Sequence, residues 1–356
     1  AGDALLRQVA KRLEHAVGQG GQVGRIGGDE FQVVFPDQDD RQRLGTIAQQ
    51  VIHSLSQPYM LEGKQVVIGA SIGVAIAPND GQTSEALVRN ADLALYAAKG
   101  DGRGVHRFYA ENMHSNAEER RNIENDLRDA LGNNDLSLAY QPVVSAVTEK
   151  ITGFEALLRW NHPVRGAVSP AEFIPIAEDA GLIATIGEWA LRTACMEAAQ
   201  WRGNARVAVN VSPIQFANPS FPSLVANALA QSQLRPDRLE LEITESVFLN
   251  DSDSVDKMFV SLKKLGIRLA LDDFGTGYSS LGYLKRAPFD KIKIDQSFVR
   301  GAAAADNRNS AIITAIVSLS EAMGMETTAE GAETHDELEL IRSLGCSHVQ
   351  GYIYGR

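Results

Sequence analysis

The sequence contains only two cysteines, Cys195 and Cys346, which lie far apart and belong to no CxxC or cysteine–histidine metal spacing. This argues against a disulfide framework and a structural zinc site, and it favours a reducing compartment such as the cytoplasm. No apolar stretch approaches the length of a membrane span, and no signal peptide is visible. We therefore expect cytoplasmic domains, which a membrane anchor elsewhere in a longer protein could accompany.

An excess of positive charge is also missing, because 45 acidic residues outnumber 34 basic ones and give a formal net charge of −11. Without a basic field the chain is not expected to bind nucleic acid or an anionic membrane, and a small phosphate ligand would need metals or a few local basic residues. A hydrophobic content of 44% argues against extended disorder. The length of 356 residues predicts two domains.

Acidic and amide side chains recur in or directly after short apolar runs that have the character of buried β-strands. These residues are Glu155, Asn210, Glu242, Asp272, Asp273 and Glu330, and two further runs carry Lys293 and Gln350. In a closed parallel barrel, polar side chains at the C-terminal strand ends converge on one mouth. Five carboxylates in one mouth would repel one another unless cations neutralised them, so the pattern predicts a hard-metal site. The alternative is that these residues are simply solvated strand ends, but it does not explain why a polar residue recurs on every one of these strands.

The two halves of the chain differ in pattern. The first half mixes strand-like and helical runs, as an α/β or α+β domain does. The stretch from Tyr109 to Leu131 is charged and lacks proline, which favours a helical connector. From Leu136 onward short strands alternate with longer helices, as a (βα) barrel requires. We place the first domain at residues 1–109, the connector at 110–128 and the barrel at 129–356.

Eight motifs occur in order in the second half: YQPVV, EALLRW, NVS, EITES, DDFGTGYSSL, KIDQSF, AEGAET and QGY. Over nearly its full length this half resembles the EAL domain family of cyclic di-GMP phosphodiesterases. The resemblance implies a modified TIM (βα)8 barrel and metal-dependent hydrolysis of cyclic di-GMP to 5′-pGpG.

The same resemblance assigns roles to the polar residues at the predicted mouth. Glu155, Asn210, Glu242 and Asp272 match the positions that hold one divalent cation, and Asp272 with Asp273 match those that bridge to or hold a second. Oxygen ligands suit Mg²⁺ or Mn²⁺. Glu330 matches the general base, and Lys293 matches the residue that orients the attacking water and offsets phosphate charge. A lysine paired with any nearby acid is the alternative reading of Lys293.

Other positions match supporting or substrate-binding residues of the family. Gln141, Arg159 and Gln350 match substrate-binding positions, although an arginine at a strand end can also be a solvated charge. Gln350 and Glu333 match positions that support the site and its loops. Glu245 matches the carboxylate that holds the DDFGTGYSSL loop, and the alternative is an acid at a helix start. Gly275, Thr276 and Gly277 would let this loop move, and the family uses it in a dimer contact, so we expect a homodimer.

An intact GGDEF sequence spans Gly27 to Phe31, and SIGVA, ADLALYAAK and GRG follow it. The first half therefore resembles the C-terminal part of a GGDEF domain, the diguanylate cyclase fold. The resemblance implies that the triphosphate of GTP and its metal are bound by Gly27, Gly28, Asp29 and Glu30, with Lys99 and Arg103 as phosphate contacts. The alternative is a simple hairpin turn.

The earlier family segments, which carry another metal-binding aspartate and guanine-recognising residues, are absent from this sequence. We therefore expect the first half to regulate rather than to cyclise GTP.

Three functions remain open at this point: a phosphodiesterase with a regulatory GGDEF half, a receptor that binds cyclic di-GMP without cleaving it, and a longer bifunctional protein that also makes cyclic di-GMP. Degenerate receptors lose metal ligands or the base. Here Glu155, Asn210, Glu242, Asp272, Asp273, Lys293 and Glu330 are all present. This pattern favours hydrolysis.

Overall fold

The computed structural model describes residues 2–61, 63–250, 253–275, 282, 284–303 and 308–355. The chain divides into two compact units, Ala1–Asn122 and Ile123–Arg356. In chain order the first unit contains α1 (Gly2–Val17), β1 (Gln22–Gly27), β2 (Glu30–Val34), α2 (Arg41–Leu55), β3 (Tyr59–Leu61), β4 (Lys64–Val66), β5 (Ile72–Val74), α3 (Ser84–Gly100), β6 (His106–Phe108) and the start of α4 (Asn112–Ala130).

The first unit mixes short strand pairs with helices, as its sequence predicts. β1 and β2 form an antiparallel hairpin in which Gly27 is paired with Glu30, so Gly28 and Asp29 make the turn of the GGDEF motif. Gly28 has a φ of 51°, which glycine adopts without strain. β5 and β6 form a parallel pair. A Cβ on Gly73 of β5 would lie 2.0 Å from the carbonyl oxygen of Ala91, so this glycine lets α3 pack directly on the strand.

The second unit begins within α4 and alternates strands with helices. Its elements are β7 (Leu136–Ser145), β8 (Ile151–His162), β9 (Gly166–Val168), α5 (Pro170–Asp179), α6 (Ile183–Gln200), β10 (Arg206–Val211), α7 (Pro213–Phe216), α8 (Phe221–Ser232), β11 (Leu239–Thr244), α9 (Asp253–Lys264), β12 (Arg268–Phe274), β13 (Lys291–Ile294), α10 (Gln296–Val299), α11 (Asn309–Ala322), β14 (Glu326–Ala329), α12 (His335–Ser343) and β15 (His348–Gln350).

The strands of this unit close into a barrel, which confirms the predicted fold class. The ring runs β8, β10, β11, β12, β13, β14, β15 and β7, and β7 closes it by pairing with β8. β7 is antiparallel to both of its neighbours, whereas the other neighbouring strands of the ring run parallel. The expectation of an all-parallel barrel is therefore wrong for this strand. The physical reason is its short connection, because a few residues can join antiparallel strands but cannot form a parallel crossover.

The barrel interior is charged at its N-terminal end. Glu240 is 1% exposed, and its two carboxylate oxygens lie 2.5 Å from Lys291 Nζ and 3.2 Å from Arg268 Nε. Burial alone would raise the pKa of Glu240, but Lys291 and Arg268 hold it below its usual range. Glu326 lies 2.7 Å from Arg268 and 3.0 Å from Arg206, which is on the opposite wall of the ring. These ion pairs join five neighbouring strands beneath the mouth.

We expect Glu240→Gln to destabilise the protein by about 3–5 kcal/mol, because it would leave Lys291 buried without a negative partner. Urea unfolding measures the change. The matched control is Asp237→Asn, since the pair of Arg235 and Asp237 has side chains that are 66% and 56% exposed. Such a surface pair is worth about 0–1 kcal/mol. Equal, small losses in both variants would show that the charged layer does not hold the barrel together.

Candidate active site

Polar side chains from successive strands meet at the C-terminal mouth of the barrel, around a cleft of ≈ 300 Å³. Asn210 and Glu242 are register partners on β10 and β11, so they stand side by side at the mouth. The predicted site residues that line the cleft are Gln141, Glu155, Arg159, Asp272, Lys293, Glu330, Glu333 and Gln350. The structure therefore gathers residues that are up to about two hundred positions apart in sequence.

Lys293 is the centre of the site. Its side chain is 2% exposed, and Nζ lies 2.6 Å from Glu242 Oε2 and 2.7 Å from Glu330 Oε1. The same nitrogen is 3.1 Å from Asp272 Oδ1 and 3.4 Å from Glu155 Oε2. Burial alone would lower the pKa of Lys293, but the surrounding carboxylates, Asp272 and Glu155 foremost, raise it well above its ordinary value. Lys293 is thus a fixed positive charge shared by four acids.

Both oxygens of Glu155 are held by amides. Asn210 Nδ2 donates to Oε1 at 2.6 Å, and Gln350 Nε2 donates to Oε2 at 2.5 Å. Gln350 Nε2 also donates to Gln141 Oε1 at 2.8 Å. Burial opposes ionisation of Glu155, but Lys293 and these amide donors hold its pKa below the usual value. Glu155 is therefore an ionised carboxylate in a fixed orientation.

The remaining acids carry more negative charge than Lys293 can neutralise. Burial, together with Glu155, raises the pKa of Glu242 well above its ordinary value. Burial and the neighbouring Asp272 raise the pKa of Asp273 to about 6. Burial, with Asp272 and Glu155 nearby, raises the pKa of Glu330 to about 8 even though Lys293 opposes the shift. Without further positive charge, the site holds protons at neutral pH.

The donor set fits a hard divalent cation. Asp272, Asp273 and Glu330 each offer a carboxylate oxygen, and these oxygens lie within 4.8 Å of one another. Asp272 Oδ1 is buried and accepts no hydrogen bond from the described residues, although it is 3.1 Å from Lys293 Nζ. Carboxylate and amide oxygens without nearby histidine or cysteine are the ligands of Mg²⁺, Ca²⁺ or Mn²⁺.

The backbone at Asp273 explains how two consecutive acids serve one site. Side chains of adjacent strand residues normally point to opposite faces. Asp273 has a φ of 53°, in the left-handed region, and the pairing of β12 with β13 is irregular between Leu271 and Phe274. This bend brings the Asp273 carboxylate to the same side as that of Asp272. Such a conformation is strained in a residue other than glycine and tends to occur at functional sites.

Loop residues surround the acids. Glu245 Oε1 accepts a hydrogen bond from the backbone nitrogen of Gly275 at 3.0 Å, so it contacts the start of the DDFGTGYSSL loop. Thr276 and Gly277 lie outside the described residues. Glu333 pairs with Arg300 at 2.7 Å on the rim of the cleft.

Arg159 lines the cleft, and its guanidinium donates to the carbonyl oxygen of Leu158 at 3.0 Å. The sequence prediction missed three polar lining residues, Gln296, Arg300 and Tyr352. Gln296 and Tyr352 lie within the KIDQSF and QGY motifs, and Arg300 lies two residues after KIDQSF, so their motif positions were the available signal.

The GGDEF residues lie in the first unit. Gly27, Gly28, Asp29 and Glu30 are exposed on the turn of the β1–β2 hairpin. Arg25 donates from Nε and Nη2 to the carbonyl oxygen of Gly28 at 3.0 and 2.7 Å and so stabilises the turn. Lys99 and Arg103 are exposed at and after the end of α3. Their roles in nucleotide binding remain a prediction.

A barrel whose mouth gathers five carboxylates around one buried lysine defines a class of protein with an acidic site of the kind that holds cations in phosphoryl chemistry. The chain belongs to the EAL domain family, whose model matches residues 124–356. Residues 1–105 match the model described as diguanylate cyclase, GGDEF domain. These matches confirm the two resemblances found in the sequence.

Individual relatives agree with this assignment. A Caulobacter vibrioides protein described as an uncharacterized signaling protein is 46% identical over 100% of this chain and 44% of its own length. The Pseudomonas aeruginosa bifunctional diguanylate cyclase/cyclic di-GMP phosphodiesterase MucR is 42% identical over 100% of this chain and 52% of its own length. The chain thus spans about half the length of these curated relatives.

A solved structure titled PaMucR phosphodiesterase, c-di-GMP complex, is also similar, with a TM-score of 0.63 at 42% identity. The matched region covers 66% of this chain and 96% of the solved chain. Across the described ranges, no helix is both long enough and apolar enough to cross a bilayer.

Proposed function

We propose that the EAL half, residues 129–356, hydrolyses cyclic di-GMP to 5′-pGpG with Mg²⁺ or Mn²⁺. The GGDEF half, residues 1–109, regulates it and is joined to it by the helical connector 110–128. The observation that carries this proposal is the set of carboxylates held around Lys293 in an open cleft. The described site keeps every acid that the family chemistry needs. The likeness to MucR and to the phosphodiesterase solved with cyclic di-GMP supports the choice of substrate.

The chain's own oxygens would hold two cations. Glu155, Asn210, Glu242 and Asp272 would bind the first, and Asp272 with Asp273 the second. When bound, divalent cations polarise a phosphodiester and lower the pKa of water so that hydroxide is available near neutral pH. Because the acids outnumber the lysine, cation binding would also relieve their mutual repulsion.

The residues of the cleft divide the chemical work. Glu330 accepts a proton from the attacking water, whose oxygen forms the new bond to phosphorus. The bond from phosphorus to one ribose 3′ oxygen breaks, and that oxygen takes up a proton from solvent to become the 3′ hydroxyl. Lys293, 2.7 Å from Glu330, orients the attacking water and offsets negative charge on the phosphate. Arg159 contacts the phosphate with its guanidinium. Gln350 holds Glu155 and is itself hydrogen-bonded to Gln141, and both glutamines border the substrate. Glu245 and Glu333 support the loops.

The wider protein has further proposed partners. The name of MucR and the intact GGDEF turn support GTP binding, and a bifunctional role, in a longer protein that contains this chain. We also propose a homodimer through the EAL half and a cytoplasmic location for both units. Equilibrium sedimentation of the purified chain tests the dimer, because it distinguishes one copy from two directly.

Incubation of the purified chain with cyclic di-GMP tests the proposed reaction. We expect 5′-pGpG to form with Mg²⁺ or Mn²⁺ and to disappear when EDTA removes the metal, as followed by chromatography. Re-addition of metal after EDTA is the control for irreversible damage. Tight binding of cyclic di-GMP without product under either metal would contradict the phosphodiesterase proposal and favour a receptor that binds cyclic di-GMP without cleaving it.

A further inference from the structure

Several buried polar atoms have no hydrogen-bond partner among the described residues, and two of them lie inside the barrel below the acids of the mouth. They are Oγ1 of Thr328, a residue that is 1% exposed, and Nδ1 of His348, a residue that is 8% exposed. Buried polar atoms are nearly always hydrogen-bonded, because an unpaired one loses its bond to water without replacement. These two atoms therefore call for a partner.

Both side chains point into the barrel. Glu326 on β14 and Glu330 directly after it flank Thr328 at a spacing of two. Glu326 contacts Arg206 across the interior, and Glu330 contacts Lys293 on the neighbouring β13. On β15, Gln350 follows His348 at the same spacing and donates inward to Glu155. Residues two apart on a strand share a face. Thr328 and His348 thus form a level between the charged layer below and the acids of the mouth above.

The two residues are also neighbours. Thr328 and His348 are register partners in the parallel pairing of β14 with β15. Paired strands lie about 4.8 Å apart, so a short hydroxyl and a ring nitrogen on one face stand within the span of one bridging molecule. Burial, with Lys291 nearby, lowers the pKa of His348. A neutral imidazole offers one acceptor nitrogen and one N–H donor, and water can satisfy either.

A small cavity lies beside this level, at the charged layer. It measures ≈ 10 Å³ and is lined by Arg206, Glu240 and Lys291 and by Val143, Gly153 and Ala208 among others, whereas Thr328 and His348 do not line it. A volume of about 10–15 Å³ accommodates one water molecule. Lys291 Nζ bonds Glu240 and, as an ammonium group, carries further N–H donors. The surroundings are therefore both polar and incompletely filled.

We propose that this level of the barrel is a binding site for water, in which one ordered molecule bridges Thr328 Oγ1 and His348 Nδ1. The bridge ties β14 to β15 directly beneath Glu330 and Gln350. The pairing of β14 with β15 is short: these strands share two register pairs, whereas β10 and β11 share five. A bound water adds a side-chain link where the backbone supplies few.

Thr328→Val tests the bridge by the sign of its effect on thermal unfolding of the full chain. Valine has nearly the shape of threonine but no hydroxyl. A bridged hydroxyl predicts a Tm lower by about 3–6 °C, from the loss of a buried hydrogen bond in a domain of this size. A dry, unpaired hydroxyl predicts an unchanged or higher Tm, and that result would overturn the proposal. Thr314→Val, at an exposed position on α11, is the control.

A double-mutant cycle with His348→Leu separates a shared water from two independent effects. If one molecule serves both residues, the double variant loses clearly less Tm than the sum of the single variants. Additive losses would overturn the bridge. Thr328→Ala, which also removes the hydroxyl, replaces the valine variant in the same cycle if valine prevents folding. The double variant must again lose clearly less Tm than the sum of the single variants, and additive losses would contradict the proposal.

Discussion

Replacing Glu155 with alanine is expected to lower turnover of cyclic di-GMP by roughly 10³-fold or more. A bound metal supplies several kcal/mol of charge stabilisation, and about 1.36 kcal/mol corresponds to each tenfold in rate. Glu155 is ionised and fixed by Asn210 and Gln350, so it is the acid of the site best prepared to bind a cation. Its removal also takes away the acceptor of the Asn210 amide, whereas the Gln350 amide keeps Gln141 as an acceptor.

Two measurements test whether the loss of turnover comes from weaker metal binding. Single-turnover rates at saturating cyclic di-GMP report the chemical step, and a titration with Mn²⁺ reports the apparent metal affinity, which should fall together with the rate. Glu172→Ala makes the same substitution at an exposed position of α5 and should leave both quantities unchanged. If the Glu155→Ala variant kept its rate within about tenfold and kept its metal affinity, Glu155 would not be a ligand.

The sequence predicted the barrel because the side chains on the outward faces of its strands are apolar and buried. Residues such as Leu241, Ile243 and Ile292 belong to the hydrophobic core outside the ring, so they produce short apolar runs. The inward residues of the same strands are Glu240, Glu242 and others, and these produce the recurring polar positions. The alternation of apolar and polar residues therefore predicted both the fold class and the acids of the mouth. The alternation does not give the direction of β7, because it is the same for parallel and antiparallel strands. The short connection from Ser145 to Ile151 is the sequence feature that indicates an antiparallel pair.

The geometry of the site depends on features that no local pattern contains. The sequence places Asp272 and Asp273 side by side, and only the left-handed backbone of Asp273 shows how both carboxylates face one site. The contacts of Lys293 with four acids follow from barrel closure, which joins β8 to β13 across the interior. Arg300 lies on the rim through a loop contact with Glu333, and such long-range pairs leave no periodic signal.

Replacing Glu330 with glutamine is expected to slow turnover by roughly 10²–10⁴-fold while leaving binding of cyclic di-GMP nearly unchanged, as for the loss of a general base. Glutamine keeps the size of the side chain but cannot accept the proton. It also leaves Lys293 its other three carboxylates, Glu155, Glu242 and Asp272. Single-turnover rates and equilibrium binding of the substrate, measured on the same preparation, separate the two effects.

The pH profile tests the same role independently. Burial and the nearby acids raise the pKa of Glu330 to about 8, so below that pH its carboxyl group is protonated and cannot act as a base. At low cation concentration the rate should therefore rise with pH up to about 8. Added Mg²⁺ should move the rise to lower pH, because nearby positive charge favours the ionised form. Glu330→Gln should abolish this rise, whereas Glu339→Gln, at an exposed position of α12, should keep it. If the Glu330→Gln variant kept both its speed and the rise, another group would have to accept the proton.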